Sequence, residues 1–144
     1  MKFWKLIYGT LFLFGLGFCF PIPSSFAQAK PVELTYSIFF PTTHKNTVLA
    51  GEWVNEIYKR TFGRVKITLF PGGTLTPAPT CYDGVVKGIS DIGMSVLAYT
   101  KGKFPLTEVI DLPLGYTNGI AATSLINQYY AKFKPKEFDE VKIL

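Results

Sequence analysis

The sequence is poor in the residues from which catalytic and metal centres are built. Its 144 residues include one histidine, His44, and two cysteines, Cys19 and Cys81. A structural metal site takes three or four ligands, and one His with one Cys supplies no such set. A thiol nucleophile needs a base within reach, and nothing in the spacing of His44 and Cys81 brings them together. Glu52 and Glu56 share a helix face as a carboxylate pair would, but a solvated surface accounts for them. There is no phosphate-cradling loop either, since Gly72-Gly73 lacks the flanking lysine and the helix register that such a loop requires. These scarcities lead us to expect no enzyme, no metal site and no cofactor.

Concentrated charge is also missing. The formal net charge is +5, from 15 basic and 10 acidic residues. Lys2 and Lys5 belong to a leader segment, and without them 13 basic residues face 10 acidic ones, a net +3. Lys132, Lys134 and Lys136 form the only basic cluster, and Glu137, Asp139 and Glu140 answer it at once. Nucleic-acid binders gather basic residues into a stripe, so no nucleic-acid partner is expected. Once the leader is gone Cys81 stands alone, which excludes an internal disulfide framework. It reads as a small, half-buried hydrophobe.

What the chain does have is apolar and aromatic residues, 48% and 16% of the total. That suits one globular domain. Residues 1–29 read as a cleavable signal peptide. Lys2 and Lys5 make the positive end, and Leu6 to Phe20 is an uncharged, mostly apolar run. Pro21 and Pro23 break that run, and Ala27-Gln28-Ala29 puts small residues where a peptidase checks. Fifteen helical residues reach about 22 Å, short of a hydrocarbon core of about 30 Å. A retained membrane anchor is therefore the weaker reading. Phe18 stands where lipoprotein processing at Cys19 wants a small residue. Residues 30–144 form the mature domain.

Within that domain Val32, Leu34, Tyr36, Ile38 and Phe40 alternate with polar residues and predict a first strand. Thr42 or Thr43 is expected to cap the helix that follows. From Lys45 to Phe62 the period is helical, with Leu49, Trp53 and Ile57 on one line and Ala50, Val54 and Tyr58 beside them. Gly63 is the expected stop. Val65, Ile67 and Leu69 alternate as a second strand, parallel to the first because a helix joins them. A short helix around Tyr82 to Lys87 ends at Gly88. Ile92 to Ser95 then reads as a third strand, covered on both faces. A last helix, Asn118 to Phe133, carries a broad apolar stripe. Val141 to Leu144 begins to alternate like a strand, so the C-terminus is expected to be a truncation.

In open α/β sheets ligands bind at the carboxyl ends of the strands. Here Phe40, Thr43 and His44 leave the first strand, Gly73, Thr74 and Leu75 the second, and Ser95 and Tyr99 the third. Helix N-termini at this rim would offer free N–H groups to a small anion such as a carboxylate.

Several motifs follow one another in a specific order: Pro41-x-x-His44, Thr61-Phe62-Gly63-Arg64-Val65, Phe70-Pro71-Gly72-Gly73-Thr74-Leu75, Gly88-Ile89-Ser90-Asp91-Ile92-Gly93, then Phe104-Pro105 and Leu112-Pro113. Together they resemble the N-terminal portion of the solute-binding subunits of TRAP (tripartite ATP-independent periplasmic) transporters, the DctP type, over Val32 to Leu144. The chain departs from that pattern after Leu75, where Thr76-Pro77-Ala78-Pro79 stands instead of a glycine and a charged helix start. The resemblance implies the first lobe of a two-lobed α/β periplasmic protein that closes on an organic acid. It also implies delivery to membrane permease subunits driven by an ion gradient. The family's carboxylate-binding arginine falls beyond Leu144, and Arg60 and Arg64 do not match it. Which acid is bound is left open. A membrane-anchored or secreted non-catalytic interaction protein stays as the alternative.

Overall fold

A computed structural model describes residues 30–144; the leader segment 1–29 and Cys19 lie outside the described residues. Three strands form one parallel sheet in the order β2-β1-β3, with β1 at Val32–Ile38, β2 at Val65–Phe70 and β3 at Ile92–Met94. The register is set by Val32 opposite Val65, Tyr36 opposite Leu69 and Tyr36 opposite Ile92. This is the mainly parallel open α/β sheet that the sequence predicts. Helix α1, Lys45–Arg60, joins β1 to β2. Helix α2, Cys81–Val86, leads through Gly88 into β3.

Strand alternation divides the sheet into two faces. On one, Tyr36, Ile38 and Ile67 pack with Ala50, and Leu34, Val54, Ile57, Leu69, Ile92 and Met94 close around them. Full burial of one such side chain stabilises the fold by about 1.5–3 kcal/mol. The stripe of α1 turned to the sheet runs through Thr47, Ala50, Val54 and Ile57. That is a rotation from the expected line, and Leu49 and Tyr58 face solvent. Gly51 lies over β2, where an added Cβ would stand at an ordinary contact distance, 3.8 Å, from Leu69 Cδ1. Trp53 keeps an edge-on contact with Tyr36, ring centroids 6.1 Å apart.

The opposite face holds Ser37 and Gly93 under α2. A Cβ on Gly93 would stand 2.7 Å from Val85 Cγ2 and 3.1 Å from Cys81 Sγ. The glycine therefore admits the helix rather than a ligand. Ser37 and Thr76 share a buried hydrogen bond of 2.6 Å between their hydroxyls. Cys81 is fully buried, and its thiol donates to the Met94 carbonyl at 3.3 Å.

Both helix ends before strands use the same device. After α2, Gly88 takes φ +71°, its N–H bonds Val85 O, and Ile89 N–H bonds Gly84 O. After α1, Phe62 takes the left-handed position at φ +53°, with Phe62 N–H on Lys59 O and Gly63 N–H on Tyr58 O. Gly63 was the expected stop, yet the residue before it makes the first left-handed step.

The C-terminal third departs most from expectation. Helix α3, Gly119–Phe133, is present, but none of its residues is buried, and Ile120, Leu125 and Phe133 are exposed. Its apolar stripe does not form core among the described residues. Among the described residues Val141 to Leu144 pairs with no strand; a short 3-10 turn at Lys136–Phe138 precedes it. Its alternation has no ladder to join. β3 is likewise an edge, bonded to β1 alone, with Ile92 and Met94 half-buried instead of covered on both faces. What anchors this region is an aromatic cluster. Phe104 sits between Tyr82 and Phe138 at 4.9 and 5.0 Å, and Tyr82 Oη donates to Glu137 O. Glu137 turns away from the lysines, and its carboxylate accepts from Thr107 N and Thr107 Oγ1.

Candidate functional site

Parallel pairing puts the exits of β1 and β2 side by side, and hydrogen bonds join them. Gly72 N–H donates to Phe40 O at 2.8 Å and Gly73 N–H to Ile38 O at 3.1 Å. Both glycines have positive φ, 69° and 70°. That conformation lets two successive amides turn back onto the neighbouring strand, and only glycine adopts it without strain. The exit of β1 is a turn closed by His44 N–H on Pro41 O.

His44 is the N-cap of α1, in place of the expected Thr42 or Thr43. Its Nδ1 accepts from Asn46 N–H at 3.2 Å. An imidazole nitrogen at this position does what a threonine oxygen would do. Thr47 N–H bonds back to His44 O. Two first-turn N–H groups are thus already used, which leaves fewer for an anion than an uncapped helix start would offer. Thr43 is exposed beside this cap.

Aromatic rings form the continuous part of the rim. Phe40 stacks on His44 with centroids 4.0 Å apart and planes 6° from parallel. Phe39 lies against Phe40 at 4.2 Å, and Tyr99 meets Phe39 edge-on at 5.4 Å. Tyr99 reaches this position on a 3-10 turn, Leu97–Tyr99. The structure therefore brings together Phe40, His44 and Tyr99, with Phe39 as the bridge that the sequence reading omitted. The Phe39-Phe40 doublet before a proline was the available signal.

The remaining predicted residues gather less closely. Thr74 is exposed, and its hydroxyl donates to Pro71 O at 3.0 Å. Leu75 is half-buried beside it. Ser95 Oγ is buried with no hydrogen-bond partner among the described residues. It lines a different feature, an open, mostly apolar trough of about 820 Å³ beside the edge strand β3. Tyr36, Trp53, Ile92, Met94, Val141 and Leu144 contribute to that trough. No Lys or Arg is among the seven rim residues. Arg60 and Arg64 sit before the start of β2, at the opposite end of the strands from the rim, where Arg60 pairs with Glu56 and Arg64 Nε donates to Thr61 O.

Burial pushes the Cys81 thiol up from its ordinary value, against weaker lowering by the Thr76 and Ser37 hydroxyls. Among the described residues, no three His, Cys, Asp or Glu side chains gather as a metal set, and no helix is long and apolar enough to cross a membrane. The arrangement offers flat apolar surface and hydroxyls, which suit holding a small molecule.

The chain is similar to known proteins over most of its length. The family model described as bacterial extracellular solute-binding protein, family 7 (DctP), matches residues 37–143. A TRAP periplasmic solute-binding protein from Desulfovibrio salexigens DSM2638 has 40% identity and a TM-score of 0.71, over 75% of this chain and 34% of that one. A TRAP solute-binding protein from Rhodoferax ferrireducens T118, in complex with copurified benzoate, has 27% identity and a TM-score of 0.73, over 78% and 36%. A marine metagenome TRAP solute-binding protein specific for aromatic acid ligands, in complex with metahydroxyphenylacetate, has 25% identity and a TM-score of 0.73, also over 78% and 36%. The chain matches about a third of the length of each of these three proteins.

Proposed function

The chain belongs to the TRAP transporter solute-binding (DctP) family, bacterial extracellular solute-binding protein family 7, and on that premise we propose that it captures a small organic acid for ion-gradient-driven uptake. In this reading the leader 1–29 is removed on export, and residues 30–144 act in the periplasm. They hand the acid to membrane permease subunits and carry out no chemistry on it. The observation that supports it most is the match over residues 37–143, coupled to a parallel sheet whose β1 and β2 exits are bonded into one rim. The candidate contacts are Phe40, Thr43, His44, Thr74, Leu75, Ser95 and Tyr99. The benzoate and metahydroxyphenylacetate complexes of the relatives fit a carboxylate ligand.

Binding pockets hide about 70–90% of a small ligand's surface, and the rim on this span covers one side only. It also holds no Arg or Lys to meet a carboxylate, and a hydrogen bond to a charged group contributes about 1.5–3 kcal/mol. At 1.4 kcal/mol per decade, that absence alone weakens binding roughly 10- to 150-fold. Calorimetry on residues 30–144 against a panel of mono- and dicarboxylates is expected to give dissociation constants of about millimolar or weaker. Catalytic turnover of any of these acids would overturn the reading, and micromolar binding would show that the site is complete within this span.

A further inference from the structure

We infer that the turn joining α1 to β2 is a contact site for an anionic phospholipid surface, with Phe62 as the ring that enters it and Lys59 and Arg64 as the cations that meet the head groups; this site is independent of which acid the rim takes. In a parallel sheet every strand starts at the same end, here the end opposite the rim. The fold gathers cations there that the sequence keeps apart. Lys30 precedes β1, Lys59 and Arg60 close α1, and Arg64 and Lys66 flank the first residue of β2; all five are exposed. Arg60 pairs with Glu56 and Lys66 with Glu33, whereas Lys59 and Arg64 have no carboxylate partner among the described residues.

Phe62 stands out from this cationic end. It is 88% exposed at φ +53°, where a residue other than glycine is strained. Strain that brings no packing points to work done on something outside the chain. Beside it Tyr58, also exposed, lies against Gly63, where an added Cβ would stand 3.3 Å from Tyr58 Oη. Two rings on one tight turn are too small for the core of a protein interface, which takes about 800 Å² from each partner. They suit a bilayer interface, where single aromatic side chains settle at head-group depth and nearby cations meet anionic lipid. The path of the chain agrees. Val32 N–H donates to Arg64 O at 2.8 Å, so the stretch carrying the apolar run Leu6 to Phe20 joins the domain beside this turn. A membrane that takes up that run during export meets this end of the sheet first. Contact here also leaves the rim, at the other end, turned away from the lipid.

Vesicle sedimentation on the exported protein tests this at low salt. The two probes are phosphatidylglycerol–phosphatidylethanolamine vesicles and pure phosphatidylcholine vesicles. The protein is expected to sediment with the first and not the second, and added salt should release it. Phe62→Gly should weaken partitioning roughly 10-fold, the low end for burying a Phe side chain. Glycine fits the left-handed turn, so this variant keeps its fold. Lys59→Gln with Arg64→Gln should weaken partitioning roughly 25-fold, at about 5-fold per cation. Lys132→Gln with Lys134→Gln, at the end of α3, should leave it nearly unchanged. Circular dichroism reports whether each variant is folded. Equal sedimentation with both vesicle types, or wild-type sedimentation of Phe62→Gly, overturns the membrane assignment. Equal losses from the two double variants would reduce the attraction to net charge and overturn the site. Sedimentation with neither vesicle overturns it in favour of a protein partner at this turn.

Discussion

Asp91 and Thr35 hold each other through three hydrogen bonds. Asp91 Oδ2 accepts from Thr35 N–H at 2.7 Å and from Thr35 Oγ1 at 2.8 Å, while Asp91 N–H donates to Thr35 Oγ1 at 3.1 Å. The pair clips the start of the edge strand β3 to the middle of β1. The Thr35 backbone N–H, then its hydroxyl, hold the Asp91 carboxyl below its ordinary value. A carboxylate whose pKa is lower folded than unfolded contributes stability above the unfolded value, about 3.9, and loses it as pH falls through the folded value. Asp91→Asn is therefore expected to cost about 1 kcal/mol at pH 7, after allowing for solvent screening at this exposed site. Urea titrations should show that difference shrinking towards zero as pH drops below about 4. An unchanged difference at pH 3 would mean that the carboxylate's charge plays no part.

Gly84→Ala is expected to destabilise, although alanine favours helices by about 1 kcal/mol over glycine. The new Cβ would stand 2.5 Å from Thr76 Cγ2. That methyl cannot swing aside without breaking the 2.6 Å bond between Thr76 and Ser37. Overpacking of this kind costs about 1–3 kcal/mol. Adding Thr76→Ser removes the methyl, keeps the hydroxyl, and should restore stability to wild type or above. Thermal melts of the single and double variants check both halves.

Phe62 occupies the left-handed region at φ +53° and is 88% exposed. A non-glycine residue there is strained by about 1–2 kcal/mol, and almost no packing is lost on truncation. Glycine's greater freedom in the unfolded chain offsets part of the gain. Phe62→Gly should raise stability by about 0.5–1 kcal/mol, read as a higher urea midpoint with an unchanged slope. A lower midpoint would show that the ring matters for stability.

Cys81 should resist thiol reagents for as long as the chain is folded. It is fully buried, and burial raises its pKa, so little thiolate forms near neutral pH. Labelling with a disulfide reagent at pH 8 is expected to follow the unfolding rate and accelerate in urea. Fast, stoichiometric labelling in buffer would contradict the burial.

The strands were legible because period-two alternation fixes both an element and its faces, as in Val65, Ile67 and Leu69. Gly88 announced the end of α2 by its chemistry alone. Periodicity names a face but not the partner that covers it. Hence α3 was found with its limits nearly right, while the burial of its stripe was not. Caps turn on competition between similar acceptors: His44, whose ring also stacks on Phe40, caps α1 where two threonines stood as candidates. Asp91 was visible as a motif residue, but its bonds to Thr35 join residues 56 positions apart, which no local pattern reports. Of the seven rim residues, Phe40, His44 and Tyr99 came together through ring contacts. The positions of Thr43, Thr74, Leu75 and Ser95 depended on turn geometry that sequence spacing does not encode.

The strand order β2-β1-β3 carries a consequence for the chain while it is being made. The central strand is synthesised first and has no partner until residues 65–70 appear. Its second edge stays open until Ile92. Closing the longer of the two intervals costs only about 0.5 kcal/mol more than the shorter, so the delay is set by synthesis and not by chain entropy. Through that interval β1 presents Tyr36, Ile38 and two bare hydrogen-bonding edges to whatever is nearby. A second nascent copy offers the same strand in the same state, and strand-to-strand pairing between copies is the standing hazard of such an edge. The vulnerable stage of this molecule therefore falls before the sheet exists.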